Sequence, residues 1–147
     1  MNKKIRNILQ KAKVRLMNLY DGDSSDLEFL FDTDIQRCKH AEIDHMKERR
    51  VYAHVGCERM MICVSSSIDL IPDENILGII IHEIGHLIHL ENPDIVSGMS
   101  ILEDISDDEI IADFIIDQLF GIHIFYDDKK IQWVSFNQFT QVEEKIW

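Results

Sequence analysis

Apolar residues recur every three or four positions at the start of the chain, and the lysines and arginines lie between them. The apolar stripe consists of Ile5, Ile8, Leu9, Ala12, Leu16 and Leu19. This spacing predicts an amphipathic helix over residues 3–20 that packs on the rest of the chain. The turn-forming residues of DGDSSD (21–26) end this helix.

Shorter segments with strand-favouring residues follow. LEFLF (27–31) predicts a short strand, and the polar segment 32–50 favours a helix. VYAHV (51–55) and MMICV (60–64) flank a glycine-containing loop and predict a hairpin. If 60–64 is the edge strand of its sheet, an extended peptide can pair with it through backbone hydrogen bonds.

The most apolar segment of the chain predicts a long helix. Pro72 and Asp73 open it, and it runs to about Leu90. Its apolar side chains cover nearly every direction around the helix axis: Ile76, Leu77, Ile79, Ile80, Ile81, Ile84, Leu87 and Ile88. A helix that is apolar all round is normally buried, so this one is predicted to lie at the centre of the protein.

The rest of the chain predicts four further elements. They are a loop over 92–106, a helix over 107–120 that ends at Gly121, a hairpin of IHIFY (122–126) and IQWVSF (131–136), and a short C-terminal helix. No internal repeat or Gly/Ser/Pro-rich linker divides the sequence. We therefore expect residues 1–147 to form a single α+β domain.

Composition narrows the functional classes. A formal net charge of −12 argues against general binding to nucleic acid. No uninterrupted apolar run of about 18 residues is present, which argues against a membrane span. The N-terminus lacks the apolar core of a signal peptide, and the three cysteines form no CxxC pair. These features predict a cytoplasmic protein with reduced thiols.

The basic charge is concentrated at one end of the chain. The residues before position 16 include six of the 15 basic residues and no acid: Lys3, Lys4, Arg6, Lys11, Lys13 and Arg15. The remainder has nine basic residues against 27 acidic ones, a net charge of −18. Such asymmetry is typical of an arm that binds an acidic protein partner, or of a basic helix that packs on its own acidic body.

Three polar residues interrupt the apolar central helix in the pattern His-Glu-x-x-His. Residues four apart share a helix face, so His82 and His86 can both bind one Zn²⁺ ion. Glu83 is rotated by about 100° from His82, beside the metal, where it can take a proton from a zinc-activated water. Gly85 costs about 1 kcal/mol in a helix, which indicates close approach of another backbone or a ligand. The alternative is three hydrogen-bonded polar residues without a metal.

The segment SDDEIIAD offers a third ligand. Glu109 begins the next predicted helix, and Asp113 lies four residues later on the same face. Glu109 can bind the metal while Asp113 orients a ligating histidine, and Ala112 lets the two helices approach. Alternatively, Ser106 and Glu109 form a capping box. Glu103 and Asp108 remain further candidates for the third ligand.

The pair HEIGH (82–86) and EIIAD (109–113) resembles the gluzincin branch of zinc metallopeptidases. Among them it is most similar to the minigluzincins, including the ImmA/IrrE-like proteins of bacteria and phages. The resemblance spans about residues 60–121. It implies His82, His86 and Glu109 as zinc ligands and Glu83 as general base. It also implies that Asp113 does not bind the zinc itself but orients a ligating histidine. It also implies a zincin-like fold with a small mixed sheet beside the active-site helix. The chain has Ala-Asp where ImmA/IrrE-like proteins commonly have Ala-Asn, and it lacks their later run ending in Met-Pro.

Other metal-binding residues fit less well. His89 shares a face with His82, but seven residues of straight helix separate them by about 10 Å, so one ion does not readily bind both. Cys57 lies in a Gly-Cys pair similar to that of peptide deformylases, whose earlier glycine-rich motif is missing. A cluster of Cys38, His40 and His45 matches no zinc spacing.

The predicted function is peptide-bond hydrolysis in a protein target, through water activated by one zinc ion. The alternative is a zincin-fold module that retains the metal and sequesters a partner without cleaving it. Hydrolysis also needs a donor for the developing oxyanion. Tyr52, His54, His123 and Tyr126 are all candidates, and the sequence does not choose between them.

Overall fold

A computed structural model describes residues 3–37, 52–56, 58–99, 107–126, 131–136 and 143–145. From Ile124 onward the description is limited to the backbone. Several residues considered above lie outside the described part: Cys38, His40, His45, Cys57, Glu103, Ser106 and the side chain of Tyr126.

The described elements confirm an α+β fold. The helices are α1 (Lys3–Leu19), α2 (Asp73–Glu91), α3 (Pro93–Ser97) and α4 (Asp108–Phe120), with 3₁₀ helices at Ser24–Phe31 and Ser66–Leu70. The strands are β1 (Asp34–Arg37), β2 (Ala53–Val55), β3 (Met61–Val64), β4 (Ile122–Tyr126), β5 (Ile131–Phe136) and β6 (Glu143–Lys145). Within the described residues, no helix combines the length and apolar character needed to cross a membrane.

The predicted N-terminal helix is confirmed as α1. Its apolar stripe is buried, with Ile5, Leu9 and Leu16 at 0% exposure, because the helix packs against α2 and β1. Part of its positive charge is paired within the chain, as Lys4 Nζ lies 3.0 Å from Asp73 Oδ1. This pairing agrees with a basic helix packed on its own acidic body, and an acidic partner remains a prediction.

The segment LEFLF lies in a 3₁₀ helix that is kinked at Leu27, so the strand predicted at 27–31 is wrong. Asp23 caps the 3₁₀ helix at Ser24–Phe31 by accepting a hydrogen bond from the backbone of Ser25. Leu27 and Leu30, three residues apart, are both buried, whereas Phe31 is 70% exposed. A half-buried strand would bury every second residue, and this spacing instead suits a tight helical turn.

The first sheet has the strand order β1-β3-β2. β1 pairs in parallel with β3, so the helix predicted over 32–50 is wrong for Asp34–Arg37. The hairpin of 51–55 and 60–64 is confirmed as antiparallel β2 and β3. β3 is the central strand, so the edge position considered for 60–64 is wrong. Both errors arise because pairing with a distant strand leaves no local period in the sequence.

The predicted central helix is confirmed as α2. Twelve of its 19 residues are buried, including His82 and Glu83. It packs against α1, α4, β2 and β5. Its burial on several sides follows from the apolar residues around its whole circumference.

The segment after α2 contains a helix where a loop was predicted. Pro93 opens α3 at the first helical position, where its fixed backbone angle is already helical. The helix ends one turn later at Gly98. Pro93 therefore starts a short helix directly after the long one ends.

The fourth helix and the second hairpin are confirmed. Gly121 ends α4 with a positive φ of 68°. β4 and β5 pair antiparallel in a sheet ordered β4-β5-β6. Residues Glu143–Lys145 form β6 on the free side of β5, so the predicted C-terminal helix is wrong there. Pairing with β5 satisfies the backbone of this short polar segment.

Candidate metal centre

Helix α2 brings three polar side chains together inside the protein. Possible ligand atoms of His82, Glu83 and His86 all lie within 4.8 Å of one another. His82 is 8% and Glu83 5% exposed, while His86 is partly exposed. Within the described part of the chain, this is the cluster that could hold a metal ion.

Helix α4 adds the carboxylate of Glu109 to this cluster. His82 Nε2 lies 2.8 Å from Glu109 Oε2, and His86 Nε2 lies 3.0 Å from Glu109 Oε1. The two imidazole nitrogens are 3.2 Å apart. Four atoms from two helices, two imidazole nitrogens and both carboxylate oxygens, therefore lie close together, although the side chain of Glu109 is 71% exposed.

Helix α4 begins differently from the predicted capping box. Its N-cap is Asp107, whose Oδ1 accepts a hydrogen bond from the backbone N–H of Glu109. The Glu109 carboxylate contacts the two histidines and is not needed as a cap. Asp107 thus fixes the first turn of the helix that presents Glu109.

Asp113 contacts the far side of His82. Asp113 Oδ1 accepts a hydrogen bond of 2.6 Å from Nδ1 of His82. The bond holds the imidazole ring in one orientation and directs Nε2 towards Glu109 and His86. This is the contact that the spacing of Glu109 and Asp113 predicts.

Close packing of α2 on α4 makes these contacts possible. A Cβ atom added to Gly85 would lie 2.6 Å from the carbonyl oxygen of Ala112. Ala112 itself is fully buried. Gly85 is therefore required by the approach of another backbone, as its place within a helix predicts.

The charges of the cluster are strongly coupled. Burial alone would lower the pKa of His82, but hydrogen bonds to Asp113 and Glu109 raise it to about 10. The hydrogen bond from His82 lowers the pKa of Glu109 to about 2. Burial, together with the charge on His82, lowers the pKa of His86. Without a metal, the positive charge of protonated His82 balances the negative charge of the neighbouring carboxylates.

Glu83 is the group of the cluster whose buried oxygen, Oε2, lacks a hydrogen-bond partner in the structure. Burial raises the pKa of its carboxyl group to about 7. An unsatisfied buried oxygen costs about 1–3 kcal/mol, which calls for a functional explanation.

The cluster opens into a cleft of about 590 Å³. One wall is formed by α2 and the start of α4, and the other by β2 with the following turn. The lining residues are Ala53, His54, Val55, Gly56, Glu83, His86, His89, Leu90, Asp108 and Glu109. The strand beside the cluster is thus β2, and not the segment 60–64 that was considered as the edge.

The other proposed residues lie in different places. His89 lines the cleft but is not part of the cluster that could hold a metal ion. Tyr52 packs against the hydrophobic core. His123 is exposed on β4, with Nδ1 3.7 Å from Asp117 Oδ2. Of the four candidate oxyanion donors, only His54 is among the residues described as lining the cleft.

Comparisons with protein families, curated proteins and solved structures gave no match for this chain. The similarity to gluzincins therefore rests on the two motifs and on the contacts between them.

Proposed function

We propose that the chain is a zinc-dependent metallopeptidase that hydrolyses a peptide bond in a protein target. The observation that carries the proposal is the convergence of two imidazole nitrogens and both oxygens of the Glu109 carboxylate. His82 Nε2 lies 2.8 Å from Glu109 Oε2, His86 Nε2 lies 3.0 Å from Glu109 Oε1, and the two nitrogens are 3.2 Å apart. Two histidines and one glutamate are a ligand set found at catalytic zinc sites.

His82, His86 and Glu109 would hold the zinc ion, leaving one position for water or substrate. Asp113 orients His82 through the Nδ1 hydrogen bond, as carboxylates commonly do behind a ligating histidine. This set of two histidines and one glutamate supports a zincin-like fold of the gluzincin type, with α2 and α4 as the helices that carry the ligands.

Glu83 is proposed as the general base and not as a fourth ligand. It follows His82 directly on α2, so the helix turns its side chain away from the Glu109 side. When bound, zinc polarises the scissile carbonyl and lowers the pKa of water. Glu83 takes a proton from the attacking water and passes it to the departing amine. Its unpaired oxygen provides the acceptor.

The cleft supports a polypeptide as the substrate. β2 lies at the end of the strand order β1-β3-β2, and Ala53–Val55 line the cleft. An extended peptide beside β2 can form backbone hydrogen bonds that would hold it next to Glu83, His86 and Glu109 across the cleft. This revises the predicted peptide-binding edge from 60–64 to β2.

The test compares the wild type with Glu83→Gln, which removes the base and preserves side-chain size. Both proteins should contain stoichiometric zinc by mass spectrometry, but only the wild type should cleave peptides in a proteome-derived mixture. Glu74→Gln is the matched control, because Glu74 is exposed at the start of the same helix. If Glu83→Gln cleaves as well as the wild type while retaining zinc, the proposal is wrong. Zinc binding without cleavage by either protein would favour a sequestering module.

A further inference from the structure

We propose that Leu90 and Val55 form an apolar subsite of the cleft, which binds a leucine-sized side chain of the substrate close to the scissile bond. The inference rests on the proposed peptidase function and names the class of peptide that the site would take. It depends on the positions of these two residues, one on each wall of the cleft.

Leu90 is a large apolar residue that the core does not use. It is 61% exposed, whereas Leu87 on the same helix is buried. Single exposed leucines are common on protein surfaces, and Leu70, at 85% exposure, is one that is not among the described lining of the cleft. Leu90 differs from it because it lies in the cleft that contains Glu83 and His86. Binding clefts are lined mainly by such apolar side chains.

The helix period places Leu90 on the face of α2 that carries the proposed base. Leu90 follows His86 by four residues and Glu83 by seven, and both separations return to the same face of a helix. At 1.5 Å per residue, Leu90 lies about 6 Å beyond His86 along the helix axis. An extended peptide advances about 3.3 Å per residue, so a side chain that contacts Leu90 belongs to a residue about two positions from the one at the metal.

Val55 forms the opposite side of the subsite. Along β2, Ala53 and Val55 share one face of the sheet, and His54 between them lies on the other face with Cys63. Ala53 is 6% exposed and belongs to the core, and α2 packs against β2. The side chain of Val55 therefore faces α2. Val55 is only partly buried there, and it also lines the cleft.

An ion pair brings the end of β2 close to the end of α2. Arg59, in the turn between β2 and β3, has Nε and Nη2 each 3.1 Å from Oε2 of Glu91. Glu91 follows Leu90 directly, and Arg59 lies four residues after Val55. The contact therefore places Leu90 and Val55 at the same end of the cleft.

The polar groups of the cleft belong to other parts of its lining. The carboxylates of Asp108 and Glu109 come from the start of α4. His89 also lines the cleft, but the helix period turns it by about 100° from Leu90, towards the face that carries the two proposed ligands. A charged substrate side chain beside Leu90 and Val55 would lose water without gaining a partner, whereas an apolar one gains contact area.

The first measurement is binding to the zinc-loaded protein, which needs no cleavage. The probes are two series of short peptide hydroxamates, with the peptide attached on one or the other side of the metal-binding group. In each series, one position at a time carries leucine, alanine or glutamate. We expect leucine to bind about tenfold more tightly than alanine or glutamate at one position within three residues of the hydroxamate.

Three variants test whether Leu90 and Val55 form this subsite. Leu90→Lys should abolish the preference for leucine and favour glutamate by about threefold at the same position, as expected for an exposed ion pair. A lysine near the C-terminus of a helix is favourable, so the fold should be kept. Val55→Thr preserves side-chain size and should lower the leucine preference by about threefold, because one methyl contact is lost. Leu70→Lys makes the same change away from the described lining of the cleft and should bind every probe as the wild type does.

The same preference should appear in cleavage. In a proteome-derived mixture, the peptides that the wild type cleaves should be enriched in large apolar residues at the position that the hydroxamates identify. Leu90→Lys should shift the ratio of kcat/KM between peptides with leucine and with glutamate at that position. The shift should be about 30-fold in favour of glutamate, the product of the two binding effects.

The inference is wrong if no position prefers leucine in the wild type, or if no hydroxamate binds the zinc-loaded protein. It is also wrong if Leu90→Lys retains the preference, or if Leu70→Lys changes it equally. Failure of the proposed function is a different outcome, namely the absence of Glu83-dependent cleavage in the peptide mixture. A zinc-loaded protein that prefers leucine hydroxamates but cleaves nothing would retain the apolar subsite and reject the peptidase.

Discussion

Glu109 shows how a single residue can be exposed and still be held firmly. Its side chain is 71% exposed, yet its two oxygens contact His82 and His86. These contacts lower its pKa to about 2, with the hydrogen bond from His82 as the largest cause. Glu109 also lines the cleft, so solvent reaches this carboxylate while it contacts both histidines.

We predict that Glu109→Ala loses zinc, because two histidines alone provide too few ligands for a stable site. The fall in zinc affinity should exceed 100-fold in a competition titration with a fluorescent chelator. Asp108→Ala is the comparison, since Asp108 neighbours Glu109 in sequence and also lines the cleft. Loss of zinc from Asp108→Ala but not from Glu109→Ala would transfer the ligand role to Asp108.

At the scale of elements, the site depends on how closely α2 and α4 approach. The contact between Gly85 and the Ala112 carbonyl sets this distance. His82 on one helix then reaches both Glu109 and Asp113 on the other. Neither helix contains the complete cluster.

We predict that Gly85→Ala destabilises the protein and weakens zinc binding. Alanine favours a helix over glycine by about 1 kcal/mol, but overpacking against backbone costs about 1–3 kcal/mol or more. The cost of overpacking should exceed the gain in helix propensity, because the added Cβ would lie 2.6 Å from a carbonyl oxygen. Urea unfolding measures the change in stability. Gly98→Ala is the control: a Cβ there meets nothing within 4 Å, and φ is −79°. A Gly85→Ala protein as stable as Gly98→Ala would contradict this account of the helix contact.

Tyr20 links the end of α1 to the next helix and gives a pH-dependent prediction. Tyr20 Oη donates a hydrogen bond of 2.7 Å to Asp26 Oδ2. Burial and this bond raise the pKa of Tyr20 from 10 to about 12. A folded-state pKa above the unfolded one stabilises the protein below pH 10, and the contribution is lost as pH rises from 10 to 12. The free-energy difference between wild type and Tyr20→Phe should therefore shrink over that range. A constant difference would show that the hydrogen bond is not the cause.

At the scale of the whole molecule, the candidate metal-binding cluster lies where the central helix meets the first sheet and α4. α2 packs against α1, α4, β2 and β5, so changes at the cluster act on the core of the fold. Burying Glu83 without a partner lowers stability in the metal-free chain. Nearby positive charge at a bound metal would offset that cost.

We predict that zinc stabilises the folded protein. A ligand that binds only the native state adds about 2.7 kcal/mol at 100 times its Kd. For a chain of this length, that corresponds to a rise in Tm of about 5–10 °C. Calorimetry with zinc and with a chelator measures the difference. Glu109→Ala should show less than a quarter of the shift, and an equal shift in both proteins would place the stabilising zinc elsewhere.

The sequence by itself determined α1, α2, α4 and both hairpins, together with the spacing of His82, Glu83 and His86. These features are local, because a helix or strand repeats over a few residues and places i and i+4 on one face. The same locality explains the errors at 27–31 and Asp34–Arg37, where a tight turn and a distant partner strand outweighed the local pattern.

Only the tertiary structure decided which strand forms the cleft wall and which carboxylate of 106–109 reaches the histidines. Each of these depends on contacts between residues far apart in the chain, such as Gly85 with Ala112 and Arg59 with Glu91. Packing fixes such contacts by shape and distance, and no periodic pattern along the sequence records them.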